Sequence, residues 1–282
     1  MTLPIFIRVY LTSFGNVTKA SIVALKTLRE LAEKNNIERI ELGFPYPIAR
    51  VKDFSSKVKK EIKDIVGSFK TTCHTPMVNL ASLNERKRQE NLREMIESIE
   101  FSLEKGINQF VIHLAAAEMS KIPFFSWFKR GTADKINIEL IRKTGEKSFL
   151  EIKDYFGKDK LIYGLENLTI HEPAFRDPKE FKHLFSKNVG LTLDTVHAVS
   201  WGLDPVELIE IYKKHLVEVH LTDGVGKGKI VKHYALGEGK VPLVEVIQRL
   251  QEIEFKGPVI IEVESKKDFP KSLKWLKKIA NI

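Results

Sequence analysis

Histidines and carboxylates recur in one kind of position along this sequence. His74, His113, His197, His220 and His233 stand at, or a few residues past, the ends of short β-branched or aromatic runs, and so do Glu166, Asp194, Asp223 and Glu262. Five of the eight histidines are placed in this way. A single histidine at such a place is ordinarily a hydrogen-bonded residue of a strand terminus. A ring of imidazoles with Glu166, Asp194 and Glu262 is different, because desolvation and mutual repulsion of the carboxylates require a compensating cation. The implied content is a divalent metal ion held by nitrogen and oxygen. Manganese, zinc, cobalt and iron suit such a mixed set, while magnesium prefers oxygen and water. Cys73 is the sole cysteine, so internal disulfides, CxxC redox pairs and zinc knuckles are excluded.

The elements that must position these residues alternate from end to end. Strand-like runs are predicted at 5–10 (IFIRVY), 39–42 (RIEL), 68–74 (SFKTTCH), 109–113 (QFVIH), 161–166 (LIYGLE), 189–194 (VGLTLD), 217–221 (VEVHL) and 259–263 (VIIEV). Helices are predicted over 18–35, 49–66, 85–105, 135–156, 178–186, 205–214, 243–253 and 270–280. Pro178 and Pro205 follow Asp177 and Asp204, a first-turn proline after an N-cap aspartate. Eight strand-helix units in one chain of 282 residues predict an α/β fold, a single (β/α)8 barrel over 1–282 with no dividing linker. An open doubly wound sheet would place a Gly-rich phosphate loop after an early strand, and 11–16 (LTSFGN) holds only Gly15. In a barrel, ionisable residues at the C-terminal strand ends stand at the mouth, where such folds do chemistry.

The net charge is +9, but Lys and Arg are spread along the chain. Their densest runs, 50–63 and 266–278, alternate with apolar residues at helical spacing and read as solvated helix faces. No apolar run approaches the ~20 residues of a membrane span, and no signal-like leader opens the chain, so a cytoplasmic protein with no membrane partner is expected. The irregular stretch 114–132, with Pro123, Phe124, Phe125, Trp127 and Phe128, reads as a lid over a substrate, a contact between copies in a homo-oligomer, or a loop packed on its own barrel. Lys227 and Lys229, in the glycine-rich 224–232 (GVGKGKIVK), could grip a phosphate or belong to a solvated loop.

With their neighbours these residues resemble the xylose isomerase-like superfamily of metal-dependent barrels. That superfamily includes sugar and sugar-phosphate isomerases, ketose 3-epimerases of the D-tagatose type and DNA-repair enzymes of the endonuclease IV type. The resembling segments are CHTPMVNLAS (73–82), FVIHLA (110–115), GLENLT (164–169), LTLDTVHAVSWGLDP (191–205), VHLTDG (219–224), HYALGEGKVPL (233–243) and GPVIIEVES (257–265). In the sugar branch the resemblance implies one metal held by Glu166, Asp194, His220 and Glu262. It also implies that Glu166 and Glu262 flank the substrate and move a proton at the carbon beside a carbonyl, with His197 on a substrate hydroxyl. His74, His113, His197, Asp223 and His233 are then expected in the substrate pocket or at a second metal position.

In the endonuclease branch three zinc ions are held together, and the further ligands match His74, His113, His197 and His233, with Glu166 bridging. The remaining position departs: Val231 stands two residues before His233, where that branch has Asp. Met77 replaces its tyrosine, His113-Leu114-Ala115 replaces His-Pro-Gly, and 43–50 (GFPYPIAR) does not resemble its DNA-contacting loop. The expected activity is therefore a divalent-metal-dependent isomerase or epimerase acting on a sugar or sugar phosphate, with manganese or zinc ahead of cobalt or magnesium. Phosphodiester cleavage at abasic DNA is the alternative, and nucleic acid is a partner only under it. A barrel that binds a small molecule without turning it over is the third reading.

Overall fold

The computed structural model describes residues 5–10, parts of 26–44, and 50–116, 138–157, 160–229, 231–265 and 267–281. Eight strands among them close into a parallel barrel: β1 (Ile5–Tyr10), β2 (Arg39–Gly43), β3 (Lys70–His74), β4 (Gln109–Ile112), β5 (Ile162–Glu166), β6 (Val189–Asp194), β7 (Leu216–Leu221) and β8 (Val259–Ile261). They pair in chain order, and β8 returns to β1 with Ile5 opposite Val259. Each strand of such a barrel is covered by helices outside and by neighbouring strands within, so apolar residues occupy both faces. Leu191 and Leu193 of β6 and Val219 and Leu221 of β7 are fully buried, and so are Thr192, Asp194, Glu218 and His220 between them. Alternation by two therefore separates an apolar outer face from a polar inner one.

The helices described over their full length are α1 (Ser56–Val66), α2 (Glu85–Leu103), α3 (Ile138–Phe156), α4 (Thr195–Trp201), α5 (Pro205–Tyr212), α6 (Leu243–Glu252) and α7 (Asp268–Ala280). Asn84 caps α2 by accepting from the Lys87 N–H at 3.1 Å, and Leu92, Met95 and Ile99 bury its inner stripe. Asp204 caps α5 in the same way through Val206 N–H at 2.8 Å, with Pro205 in the first turn. The expected helix over 178–186 is instead two single 3-10 turns, Pro178–Glu180 and Lys182–Leu184. Phe181 between them leaves the helical region (φ −136°, ψ 3°) and buries its ring against Phe175 and Phe185. Burial of that aromatic outweighs one more helical turn. The predicted helix over 18–35 and the aromatic stretch 114–132 lie largely outside the described residues. Among the described residues no helix is long and apolar enough to cross a membrane.

Candidate metal centre

The C-terminal ends of β3 to β8 bring the predicted residues together around Glu166. This carboxylate, on the last residue of β5, is fully enclosed by imidazoles. Its Oε2 lies 2.8 Å from His113 Nε2 and 3.3 Å from His74 Nε2, and its Oε1 lies 3.3 Å from His197 Nδ1 and 3.4 Å from His220 Nδ1. Although burial opposes ionisation, His113 and His220 hold Glu166 well below the usual carboxylate range. Glu262, just past β8, faces the same centre: one oxygen is 3.7 Å from His220 Nδ1 and the other 3.4 Å from His233 Nδ1.

Asp194 ends β6 and also starts α4. Its Oδ1 accepts from the His197 N–H and from the Thr222 hydroxyl, each at 2.8 Å, which fixes the carboxylate as the N-cap of a seven-residue helix. Gly202, at φ 89°, closes that helix in the left-handed conformation that a Cβ disfavours. Asn167 clamps the junction from β5, donating to the Asp194 carbonyl at 3.0 Å and accepting from the Asp194 N–H at 2.8 Å. Asp194 Oδ2 remains buried with no hydrogen-bond partner among the described residues. A buried carboxylate oxygen left without a partner, on a residue grouped with Glu166 and His220, fits a cation better than it fits an empty pocket.

Three overlapping groups of possible ligand atoms lie here: Glu166, Asp194 and His220; His74, His113 and Glu166; and Asp194, His197 and His233, each with atoms within 4.8 Å of one another. A fourth group, Glu41, Glu218 and His220, lies one layer deeper. Glu41 and Glu218 were not expected from the sequence, where each reads as the solvent face of an alternating strand. Both are completely buried; burial together with the Glu41 carboxylate pushes Glu218 up to about 8, against the hydrogen bond and charge of His220, which favour its carboxylate form.

Asp223 is not part of the ring. Its Oδ1 accepts from the N–H groups of Gly224 (2.8 Å) and Val241 (3.2 Å), and its Oδ2 from those of Gly237 (2.8 Å) and Gly239 (2.9 Å). The carboxylate is used by the loop that follows β7. Lys227 lies across Gly202 and lines a surface cleft with Val199, Asp204 and Glu245; Lys229 is exposed. Val231, at the departing endonuclease position, packs partly buried on the core.

The described residues therefore form a closed barrel whose mouth can hold a divalent ion on nitrogen and oxygen. The profile described as "Xylose isomerase-like TIM barrel" matches residues 29–279. The chain belongs to that family. Among curated members, an uncharacterised protein of Methanocaldococcus jannaschii is 29% identical over 224 residues, 74% of this chain and 69% of that one. A probable endonuclease 4 of Aquifex aeolicus is 25% identical over 211 residues, 69% of this chain and 70% of that one. Among solved structures, a D-tagatose 3-epimerase-like protein superimposes with a TM-score of 0.71 at 23% identity, covering 98% of this chain and 97% of the other. These likenesses share a barrel, and a shared barrel does not by itself assign an activity to this chain.

Electrostatics at the mouth carry a pH dependence. Burial opposes charging His197, but the Asp194 and Glu166 carboxylates hold its imidazole up at about 9. A folded value above the ordinary 6.5 means that charged His197 stabilises the metal-free fold below that pH and ceases to do so as pH rises through 9. Calorimetry of metal-free protein should show Tm falling by on the order of 5 °C across this interval. A divalent ion held by Asp194 and Glu166 should offset the carboxylate charge that raises His197 and so remove the decline. A flat metal-free profile would mean that His197 is not charged by these carboxylates.

Proposed function

We propose that this protein is a divalent-metal-dependent isomerase or epimerase acting on a sugar or sugar phosphate. The observation that carries the reading is the convergence of two carboxylates, Glu166 from the end of β5 and Glu262 from just past β8, on His220 Nδ1 of β7 at 3.4 and 3.7 Å. Glu166, Asp194, His220 and Glu262 would hold the ion, and the unpartnered Asp194 oxygen supports that assignment. When bound, a divalent ion supplies positive charge beside the substrate oxygens on which negative charge develops. Glu166 and Glu262 then serve as base and acid: one carboxylate takes the proton from the carbon beside the carbonyl, and the other returns one. His113, His197 and His233 would supply ring N–H groups to substrate hydroxyls around the mouth, while His74, with its Nδ1 on the Thr75 carbonyl at 3.0 Å and its Nε2 on Glu166, orients that carboxylate. Asp223 holds the loop that carries His233 and makes no substrate contact in this reading.

Replacing Glu262 by Gln is expected to lower kcat by about 10²–10⁴-fold, measured on whichever ketose or aldose the wild-type protein converts. Full turnover in that variant would remove Glu262 from the proton path.

The two further ligand groups favour a second reading, a zinc phosphodiesterase acting at abasic sites in DNA, because Glu166 presents each oxygen to two imidazoles and could bridge ions. Val231 counts against it by leaving one position without a carboxylate. Metal stoichiometry separates the two. About one ion per chain, exchangeable with manganese, supports the sugar enzyme. Two or three tightly held zinc ions, with abasic-site cleavage whose DNA binding weakens steeply with salt, support the other. Bound metal without turnover on ketoses, aldoses or abasic DNA overturns both.

A further inference from the structure

His220 is buried between two pairs of carboxylates on different levels of the barrel. Above it, Nδ1 faces Glu166 and Glu262. Below it, Nε2 lies 3.1 Å from Glu218 Oε1 and 3.6 Å from Glu41 Oε2, and all four of His220, Glu218, Glu41 and Glu166 are at most 2% exposed. The lower pair has no role in the proton transfers proposed above, and it is built rather than incidental. Glu218 lies two residues before His220 on the same inner face of β7. Its second oxygen accepts from Gln109 Nε2 of β4 at 2.8 Å, which fixes the plane of the carboxylate across the barrel. Glu41 comes from β2, where its ladder partners are Arg8 on β1 and Thr72 on β3.

A neutral imidazole has one N–H donor and one lone pair, so a carboxylate on Nε2 decides that Nδ1 is left to bind a cation. It also orients the ring and raises the basicity of the ligating nitrogen. We propose that Glu218, fixed by Gln109 and backed by Glu41, is a positioning residue that locks His220 with its proton on Nε2 and makes Nδ1 the metal-binding nitrogen. This rests on the reading of His220 as a metal ligand. It adds an inner polar layer, contributed by β2, β4 and β7, on which the affinity of the mouth depends.

The test is titration of chelator-treated protein with Co(II), for the wild type and for Glu218→Gln, Glu218→Leu and Gln109→Leu, with zinc-loaded samples carrying ¹⁵N-labelled histidine for NMR. Wild-type protein should bind Co(II), and its zinc form should show His220 protonated on Nε2. Glu218→Leu should bind 10–100-fold more weakly at unchanged stoichiometry and lose the single tautomer. Glu218→Gln, which keeps an acceptor oxygen, should recover most of the affinity, and Gln109→Leu should fall between. Circular dichroism of the metal-free Glu218→Leu and Gln109→Leu proteins matching that of the wild type shows that their weaker binding is not unfolding. Equal affinity in all four proteins overturns the proposal. So does loss of one whole ion in Glu218→Leu, which would make Glu218 a ligand. A wild-type protein that binds no Co(II) overturns instead the reading of the mouth as a metal centre.

Discussion

A Glu166→Gln protein should turn over its substrate at least about a thousandfold more slowly than wild type and hold its divalent ion far more weakly. Among the described residues no other carboxylate at the mouth is engaged by so many imidazoles, two on each oxygen. The amide preserves shape and removes the charge. One of its ends becomes an NH₂ group that must face either the His74 and His113 pair or the His197 and His220 pair. Whichever pair it meets loses an acceptor, and one nitrogen must give up its proton or turn away. The variant should fold, because the barrel core does not depend on this side chain. Turnover on the sugar converted by wild type, together with metal content by mass spectrometry, checks both halves. A Gln variant that keeps its metal and its rate would place the chemistry elsewhere in the barrel. Under the phosphodiesterase reading the same variant should lose more than one ion, so metal counting separates the two readings even in an inactive protein.

The barrel and its mouth were legible in the sequence for a simple reason. Parallel strands buried on both sides are short apolar runs, and a His, Asp or Glu at their downstream end has few other places to go. Hence His74, His113, Glu166, Asp194, His220 and Glu262 arrive where the alternation of strands and helices put them. The deeper layer was not legible. In RIEL and VEVHL an acidic residue between apolar neighbours is the ordinary signature of a strand with one face in water, and only closure of the barrel shows that the polar face of β2 and β7 points inward. Helix α4 is not signalled by the sequence, where Asp194 has the look of a strand-end ligand. Its side chain also caps the first turn at the His197 N–H, so one residue ends a strand, starts a helix and offers its other oxygen to the centre. Asp177 and Pro178 gave a sound start signal for a helix that Phe181 then interrupts, since a start signal says nothing about the burial demanded three residues later.

Asp223 shows the same ambiguity with the opposite outcome, and its replacement by Ala is expected to cost stability before catalysis. A carboxylate after a strand, in a glycine-rich loop, has the sequence appearance of a site residue. In the fold it accepts four backbone N–H groups, from Gly224, Gly237, Gly239 and Val241. Removing it leaves the buried N–H groups of Gly224 and Val241 and the more exposed ones of Gly237 and Gly239 without this acceptor, at about 1–3 kcal/mol for each that water cannot reach. With partial rehydration the expected loss is about 4 kcal/mol, or a Tm lower by about 10 °C, read by urea unfolding and calorimetry. Gly239 approaches the carboxylate so closely that an added Cβ would collide with Asp223 Oδ1 and with the Gly224 backbone. Gly239→Ala should therefore reproduce the defect with the carboxylate still present. Catalysis should suffer less, because the loop is tied to the barrel at other points. The Tyr234 N–H donates to the Asp223 carbonyl at 2.8 Å, which the substitution keeps, and Glu264 N–H donates to the His233 carbonyl at 3.2 Å. His233 should thus stay near Glu262, with kcat lowered by about tenfold or less. The reverse pattern, intact stability with a large rise in KM, would mean that the Asp223 carboxylate leaves the loop to meet the substrate.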